Sequence, residues 1–149
     1  TRLVSDWSSD VCSSDLARQF VLPAFLERIA RALDEKQTEI QVGDLRAVRD
    51  FIDVRDLARA LLSIMEHPGD LPPVLNVCRG IPVTIGELLE LCCDVARARL
   101  SFRVDPALLR PEGPDQRYGC ADRLKALGWE PLYSLEETIS DCWQEQKSA

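Results

Sequence analysis

The sequence is poor in the residues that most often bind metals or carry acid–base chemistry near neutral pH. It has one histidine, His67, and no pair of cysteines at the C-x-x-C spacing. Zinc sites need clustered thiolates or imidazoles, so this scarcity argues against a metal site. His67 stands in a His-Pro-Gly turn with no acid or nucleophile beside it, which favours a loop residue over a catalyst.

Long apolar runs and an excess of positive charge are also missing. No run approaches the roughly 20 apolar residues of a membrane helix. The net charge of −7 argues against a general nucleic-acid binder, which needs a basic face. It leaves room for a local basic pocket around a phosphorylated small molecule. We therefore expect neither a membrane nor a nucleic acid as a partner.

The cysteines are placed for packing more than for chemistry. They stand at positions 12, 78, 92, 93, 120 and 142. Cys92 and Cys93 lie inside a helical apolar pattern and are interpreted as small core residues. No basic-then-apolar leader is recognisable. We expect reduced thiols and a cytoplasmic location.

The first sixteen residues differ from the rest of the chain. Residues 1–16 are rich in Ser and Asp and have no helical or strand period, as in a disordered tail. The whole of residues 6–16 can be back-translated into a common short-read sequencing adapter. We therefore interpret residues 1–16 as an artefactual tail and expect the natural sequence to begin near Ala17, with an upstream part lost.

Apolar periodicity predicts alternating helices and strands in the remaining chain. Helices are predicted over residues 20–33, from a cap at Asp53, from capping boxes at Thr84 and Ser134, and over residues 122–127. Strands are predicted over residues 38–42, 74–78 and 100–104. The run at 74–78 is apolar except for Asn76, which is typical of a strand buried on both faces. The alternation indicates an α/β or α+β chain.

The stretch 42–56 organises the sequence. It contains a short strand, a turn at Gly43, a basic side chain at Arg49 and a helix start at Asp53. An arginine that follows a turn and precedes a helix suits an anionic ligand, because guanidinium binds phosphate oxygens in a bidentate fork. The alternative is that Arg49 and Asp50 form a solvated surface pair.

Several motifs resemble one protein family in their order and spacing. They are GDLRAVRDFIDVRDLARALL at 43–62, LNVCRG at 75–80, VTIGELLEL at 83–91, VDPALLRP at 104–111 and DRLKALGWEP at 122–131. Together they resemble the C-terminal part of extended short-chain dehydrogenase/reductases, the NAD-dependent epimerase/dehydratase family, that act on nucleotide-diphosphate sugars. The resemblance covers residues 17–146 and is strongest to GDP-6-deoxy-4-keto-mannose reductases and GDP-mannose 4,6-dehydratases.

The resemblance implies an α/β fold that is a C-terminal fragment of an NAD(P)-binding Rossmann-like enzyme. Residues 17–149 would hold the substrate-binding part and the last strand of the sheet. The implied partner is a nucleotide-diphosphate sugar, with a GDP-sugar reductase favoured over a GDP-mannose dehydratase or a UDP-sugar 4-epimerase. The intact parent would use NAD(P), whereas no cofactor is expected for this chain. Family members often form dimers through helices of the missing half, which leaves the oligomeric state open.

The resemblance also implies the residues that contact the substrate. Arg49 matches the arginine that binds the diphosphate, and Asp44 matches a position near the same phosphates that is often Asn. A carboxylate at Asp44 repels phosphate unless it is hydrogen-bonded elsewhere. Val21 matches a backbone contact to the nucleotide. Arg110 matches the arginine over the ribose or base, and Glu112 neighbours the position of the acid that commonly holds the ribose hydroxyls.

The hydride machinery of that family is absent from the sequence. No set of glycines forms the G-x-G-x-x-G turn that admits a dinucleotide pyrophosphate. The family's Tyr-x-x-x-Lys pair is also missing, since the residues four places before the lysines are Ala32, Ala121 and Trp143. We therefore predict that the isolated chain has no catalytic residues and no reductase turnover. A non-catalytic binding module and a structural fragment without a ligand are the alternatives.

Overall fold

The computed structural model describes residues 20–109 and 115–148. The helices of these residues are α1 (Val21–Asp34), α2 (Val54–Met65), α3 (Ile85–Ala96), α4 (Asp122–Lys125) and α5 (Leu135–Ser148). The strands are β1 (Glu39–Val42), β2 (Val48–Asp50), β3 (Pro82–Thr84), β4 (Ser101–Val104) and β5 (Gln116–Arg117). None of the described helices has the length and apolar character needed to cross a membrane.

Side-chain caps fix where three helices begin. The Asp53 carboxylate accepts a hydrogen bond of 2.8 Å from a first-turn N–H of α2. Thr84 and Glu87 bond to each other's backbone N–H at the start of α3, and Ser134 and Glu137 do the same at α5. Each cap satisfies an N–H that has no partner within its helix. The three predicted helix starts are confirmed.

The strands form two small sheets. β1 pairs with β4 in parallel, and Ile40 stands opposite Phe102. β2 is the central strand of the second sheet, antiparallel to β3 and parallel to β5. This order places Arg49 of β2 between Val83 on one side and Arg117 on the other. The strands predicted over 38–42 and 100–104 are confirmed.

Most of the core is one large cluster in which α1, α3 and α5 pack together with β1. Its buried members include Leu26, Ile29, Val42, Leu88, Leu89, Cys92, Cys93, Ile139 and Trp143. Burial raises the pKa of the Cys92 thiol to about 12 and that of Cys93 to about 11. Both cysteines are therefore neutral core residues, as the helical pattern predicts.

A small cluster lies between α2 and the chain around α4. Its buried members are Ala60, Ala121, Leu124 and Trp129, with Ile52, Ile64, Val77 and Cys78 packed against them. On its outer side α2 leaves large apolar side chains at least half exposed, at Val54, Leu61, Leu62 and Met65. The small cluster thus buries far less apolar surface than the large one.

The strand predicted over residues 74–78 is wrong for this chain, since the segment pairs with no described strand. Its polar groups bond instead to residues of the 120–123 segment. The Val74 carbonyl accepts a hydrogen bond from Arg123 at 3.2 Å, and the Asn76 amide donates to the Cys120 carbonyl at 3.2 Å. These hydrogen bonds take the place of those that a neighbouring strand would make, and Val74 remains 62% exposed.

Candidate functional site

Arg49 is held on β2 by a clamp from Asp115. Its Nη1 donates to the carbonyls of Val48 and Asp115 at 2.8 and 2.9 Å, and its Nη2 donates to Asp115 Oδ2 at 3.2 Å. The side chain is 25% exposed. The alternative of a solvated Arg49–Asp50 pair does not describe these residues, because Asp50 bonds to a different part of the chain.

A second arginine shares the same carboxylate. Arg117 of β5 stands in register with Arg49, and its Nε lies 2.8 Å from Asp115 Oδ2. The Arg117 side chain is 72% exposed. Two guanidinium groups share one carboxylate, so these three side chains together are positively charged, in a chain whose net charge is −7. This Arg49–Asp115–Arg117 cluster is suited to an anion with several oxygens.

Asp44 is hydrogen-bonded by Arg46, which is the condition under which its carboxylate does not repel a phosphate. Its Oδ1 accepts hydrogen bonds from the backbone N–H and the Nε of Arg46, both at 3.0 Å, and its Oδ2 accepts from Nη2 at 3.1 Å. The bonds from Arg46 lower the pKa of the Asp44 carboxyl, so it is ionised and neutralised within the loop. Asp44 therefore adds no unpaired negative charge after β1.

The other predicted substrate contacts are Val21, Arg110 and Glu112. Val21 begins α1 and packs against the large cluster, and the hydrogen bonds described above for Asp44 and Arg49 do not involve it. Arg110 and Glu112 lie outside the described residues. The chain on either side of them is held against the stretch 42–56. On one side, Leu108 approaches Gly43 so closely that a Cβ built on this glycine would lie 3.5 Å from it. On the other side, Asp115 bonds to Arg49.

Asp50 is a structural tie that the sequence pattern did not indicate. Its Oδ1 accepts a hydrogen bond from the Arg79 N–H at 3.1 Å, and its Oδ2 accepts from Gly80 at 2.9 Å and Gly119 at 3.4 Å. The carboxylate therefore joins β2 to two loops that are 29 and 69 residues away. Nothing local in the sequence marks it for this role.

Asp53 joins the start of α2 to α5. Besides capping its own helix, it accepts 2.8 Å and 2.7 Å hydrogen bonds from Arg55 Nη2 and Thr138 Oγ1. The Arg55 guanidinium holds the pKa of the Asp53 carboxyl well below its usual range. Arg55 also lies 2.8 Å from Asp141 and 3.7 Å from the centre of the Tyr133 ring. The helix cap predicted from the sequence is thus also an interhelical contact.

Asp56 is the most buried of these acids, at 1% exposure. It accepts hydrogen bonds of 3.0 Å from the backbone N–H groups of Leu132 and Tyr133, and one of 2.7 Å from Arg59. Burial alone would raise the pKa of the Asp56 carboxyl, but the three donors outweigh it and the pKa is lowered. The carboxylate fixes the chain between α4 and α5 against α2.

Solved structures define the class of protein to which this fold corresponds. The chain is similar to the structure of RMD from Pseudomonas aeruginosa complexed with NADPH, with a TM-score of 0.76, 32% identity and coverage of 88% of this chain and 43% of that chain. It is also similar to UDP-glucose 4-epimerase from Thermotoga maritima with UDP-glucose, with a TM-score of 0.70, 28% identity and coverage of 87% and 40%. The class is the Rossmann-like extended short-chain dehydrogenase/reductases.

Sequence comparison narrows the class to a family. The family model for GDP-mannose 4,6 dehydratase matches residues 8–142, and the chain belongs to this family. It is 34% identical over 122 residues to GDP-6-deoxy-D-mannose reductase of Pseudomonas aeruginosa, covering 80% of this chain and 40% of that protein. It is 31% identical over 131 residues to GDP-L-fucose synthase of Azorhizobium caulinodans, covering 87% and 41%. The chain thus spans about two fifths of the length of these curated relatives.

Proposed function

We propose that residues 17–149 are the C-terminal, nucleotide-sugar-binding part of an NAD(P)-dependent sugar-nucleotide reductase acting on a GDP-4-keto-6-deoxy-mannose. The names of the two relatives, a GDP-6-deoxy-D-mannose reductase and a GDP-L-fucose synthase, support a GDP-sugar. The RMD structure, complexed with NADPH, supports NAD(P) as the cofactor of the intact enzyme. Residues 1–16 take no part in this proposal and are interpreted as an artefactual tail.

The observation that carries the proposal is the Arg49–Asp115–Arg117 cluster. Its surplus positive charge attracts a diphosphate, and β2 holds the Arg49 guanidinium in a fixed plane. Diphosphate oxygens would compete with the Asp115 carboxylate for Arg49, while the exposed Arg117 turns towards the ligand. The pairing of Asp44 with Arg46 removes the source of repulsion that the sequence suggested.

Three further residues complete the proposed site. Arg110 would cover the ribose or base, and Glu112 would accept hydrogen bonds from the ribose hydroxyls. Both flanks of their segment are held against the stretch 42–56, by Leu108 and by Asp115, which supports this placement. Val21, at the start of α1, would contact the nucleotide through its backbone.

We propose that the catalytic and cofactor-binding residues of the intact enzyme lie outside this chain. In the intact enzyme a bound nicotinamide would supply hydride to the 4-keto carbon, and a Tyr-x-x-x-Lys pair would handle the proton. The present sequence has neither that pair nor a Gly-rich turn. We therefore propose that the isolated chain binds the nucleotide without turnover.

Calorimetric titration of the 149-residue chain with GDP and with UDP tests the proposal. We expect GDP to bind, and Arg49→Ala to weaken binding at least tenfold, because it removes the fixed guanidinium. Arg31→Ala is the matched control, since Arg31 is an exposed arginine on α1 paired with Glu27, and it should bind GDP normally. No heat with either nucleotide would contradict the proposal. Tighter binding of UDP would favour the UDP-sugar epimerase alternative.

A further inference from the structure

Two cysteine-bearing segments meet on the Asp50 carboxylate. The N–H groups of Arg79 and Gly80, directly after Cys78, bond to its two oxygens at 3.1 and 2.9 Å. The N–H of Gly119, directly before Cys120, bonds to the same Oδ2 at 3.4 Å. One carboxylate therefore holds the backbone beside both thiols.

The thiol of Cys78 lies against the residue that precedes Cys120. A Cβ built on Gly119 would stand 2.7 Å from Cys78 Sγ, a distance that leaves no room for any side chain there. A Cβ on Gly80 would lie 3.9 Å from the N–H of Ala121, the residue after Cys120. The Asn76 amide also bonds to the Cys120 carbonyl at 3.2 Å. The two segments thus run side by side past the two cysteines.

The two thiols differ in access. Cys120 is exposed and Cys78 is partly buried. Burial, followed by the charges of Asp50 and Cys120, raises the pKa of the Cys78 thiol. Cys120 is therefore the thiol that an external reagent meets, and Cys78 is placed to react after it. Cys92 and Cys93 are buried, which separates them from such chemistry.

We propose that Cys78 and Cys120 form a reversible disulfide by exchange with a low-molecular-weight disulfide such as oxidised glutathione. The Cys120 thiolate attacks one sulfur of the reagent, which forms a mixed disulfide and releases one thiol. The Cys78 thiolate then attacks Cys120 Sγ and releases the second thiol. Two protein thiols are oxidised, and one reagent disulfide is reduced to two thiols. The bond would tie the 74–80 segment to the chain before α4, beside the β2 strand that carries Arg49.

The test treats the full chain, in a Cys12→Ser background, with oxidised glutathione, measures the intact mass, and then blocks free thiols with N-ethylmaleimide before peptide mapping. We expect the intact mass to fall by two hydrogens and a peptide map to link Cys78 with Cys120. Cys78→Ser should stop at the mixed disulfide, with the mass of one glutathionyl group added. Cys120→Ser should form no 78–120 disulfide, and it should form a mixed disulfide more slowly than Cys78→Ser does.

Two controls separate this chemistry from nonspecific oxidation. Cys142→Ser, which removes a partly buried thiol on α5, should give the same linked peptide in the same yield. Circular dichroism should show that each serine variant is folded. The proposal is overturned if the 78–120 peptide is missing from folded protein, if Cys78→Ser accumulates no mixed disulfide, or if the linkage involves Cys142.

Discussion

The large and small clusters are stabilised by different means. In the large cluster, three amphipathic helices bury leucine, isoleucine and aromatic side chains against β1. In the small cluster few side chains are buried, and the carboxylates of Asp50, Asp53 and Asp56 tie the surrounding segments together. The small cluster borders the strand that carries Arg49. The proposed binding site therefore depends on ionised groups more than on core volume.

The two clusters should also respond to different perturbations. Loss of apolar volume should affect the large cluster most, because cavities cost stability in proportion to their size. Loss of a carboxylate should affect the small cluster most, because several N–H groups lose their partner together.

The largest effect is expected from truncating the large cluster. Leu88 on α3 is fully buried, so Leu88→Ala should lower the free energy of unfolding by about 3 kcal/mol, by the lost transfer and cavity terms. Urea unfolding followed by circular dichroism measures this. Leu61→Ala, on the exposed face of α2 at 50% exposure, should cost well under half as much. Equal losses would contradict the burial of Leu88 in the large cluster and the exposure of Leu61 on α2.

Removing the Asp56 carboxylate should have the next largest effect. Asp56→Ala leaves the N–H groups of Leu132 and Tyr133 and the Arg59 guanidinium without their acceptor. We expect a loss of about 2 kcal/mol in the same urea assay. Glu66→Ala, an exposed acid just after α2, is the control and should be near neutral. A neutral Asp56→Ala would show that the ties are dispensable.

The carboxyl groups around the small cluster and the thiols of the large cluster should make the free energy of unfolding fall at opposite ends of the pH scale. The lowered pKa values of Asp53 and Asp56 mean that the unfolded chain binds more protons in acid, so stability falls as the pH drops below about 5. The raised pKa values of Cys92 and Cys93, about 12 and about 11, mean that the unfolded chain loses protons first in alkali. Stability should therefore fall above about pH 9.

Urea midpoints measured from acid to alkali test both signs. Asp56→Asn should reduce the fall of the urea midpoint in acid, here called the acid limb, and leave its fall in alkali, the alkaline limb, unchanged. Cys93→Ala should flatten the alkaline limb only. An acid limb that persists undiminished in Asp56→Asn would mean that other carboxyl groups control the acid response.

The smallest effect is expected at a helix cap. Thr84→Ala removes one half of the reciprocal bonding with Glu87 at the start of α3, which should cost about 1 kcal/mol. Thr84→Ser keeps the hydroxyl and should restore most of the stability. If serine does not rescue, the threonine acts through its methyl group and not through the cap.

Features encoded by neighbouring residues were predictable from the sequence. The caps at Asp53, Thr84 and Ser134 depend on residues two or three places away. The helical spacing of Phe25, Ile29 and other α1 residues sets the buried face of that helix. The capping boxes therefore gave correct helix starts, and the periodicity gave the first helix.

Features that join distant residues were not predictable. The bonds of Asp56 to residues 132 and 133, and the clamp of Asp115 on Arg49, cross 66 to 77 positions of the chain. Nothing local distinguishes these acids from solvated ones. The strand expected at 74–78 failed for the same reason, because an apolar run becomes a strand only where another strand is available to pair with it.

The Nε–H resonance of Arg49, followed by NMR during a titration with GDP, tests the diphosphate site most directly. We expect this resonance to shift and saturate with GDP, because the diphosphate replaces Asp115 as a partner of the guanidinium. Guanosine, which carries no phosphate, should leave it unmoved. An Arg49 resonance that stays in place at saturating GDP would contradict the assignment of this cluster as the diphosphate site.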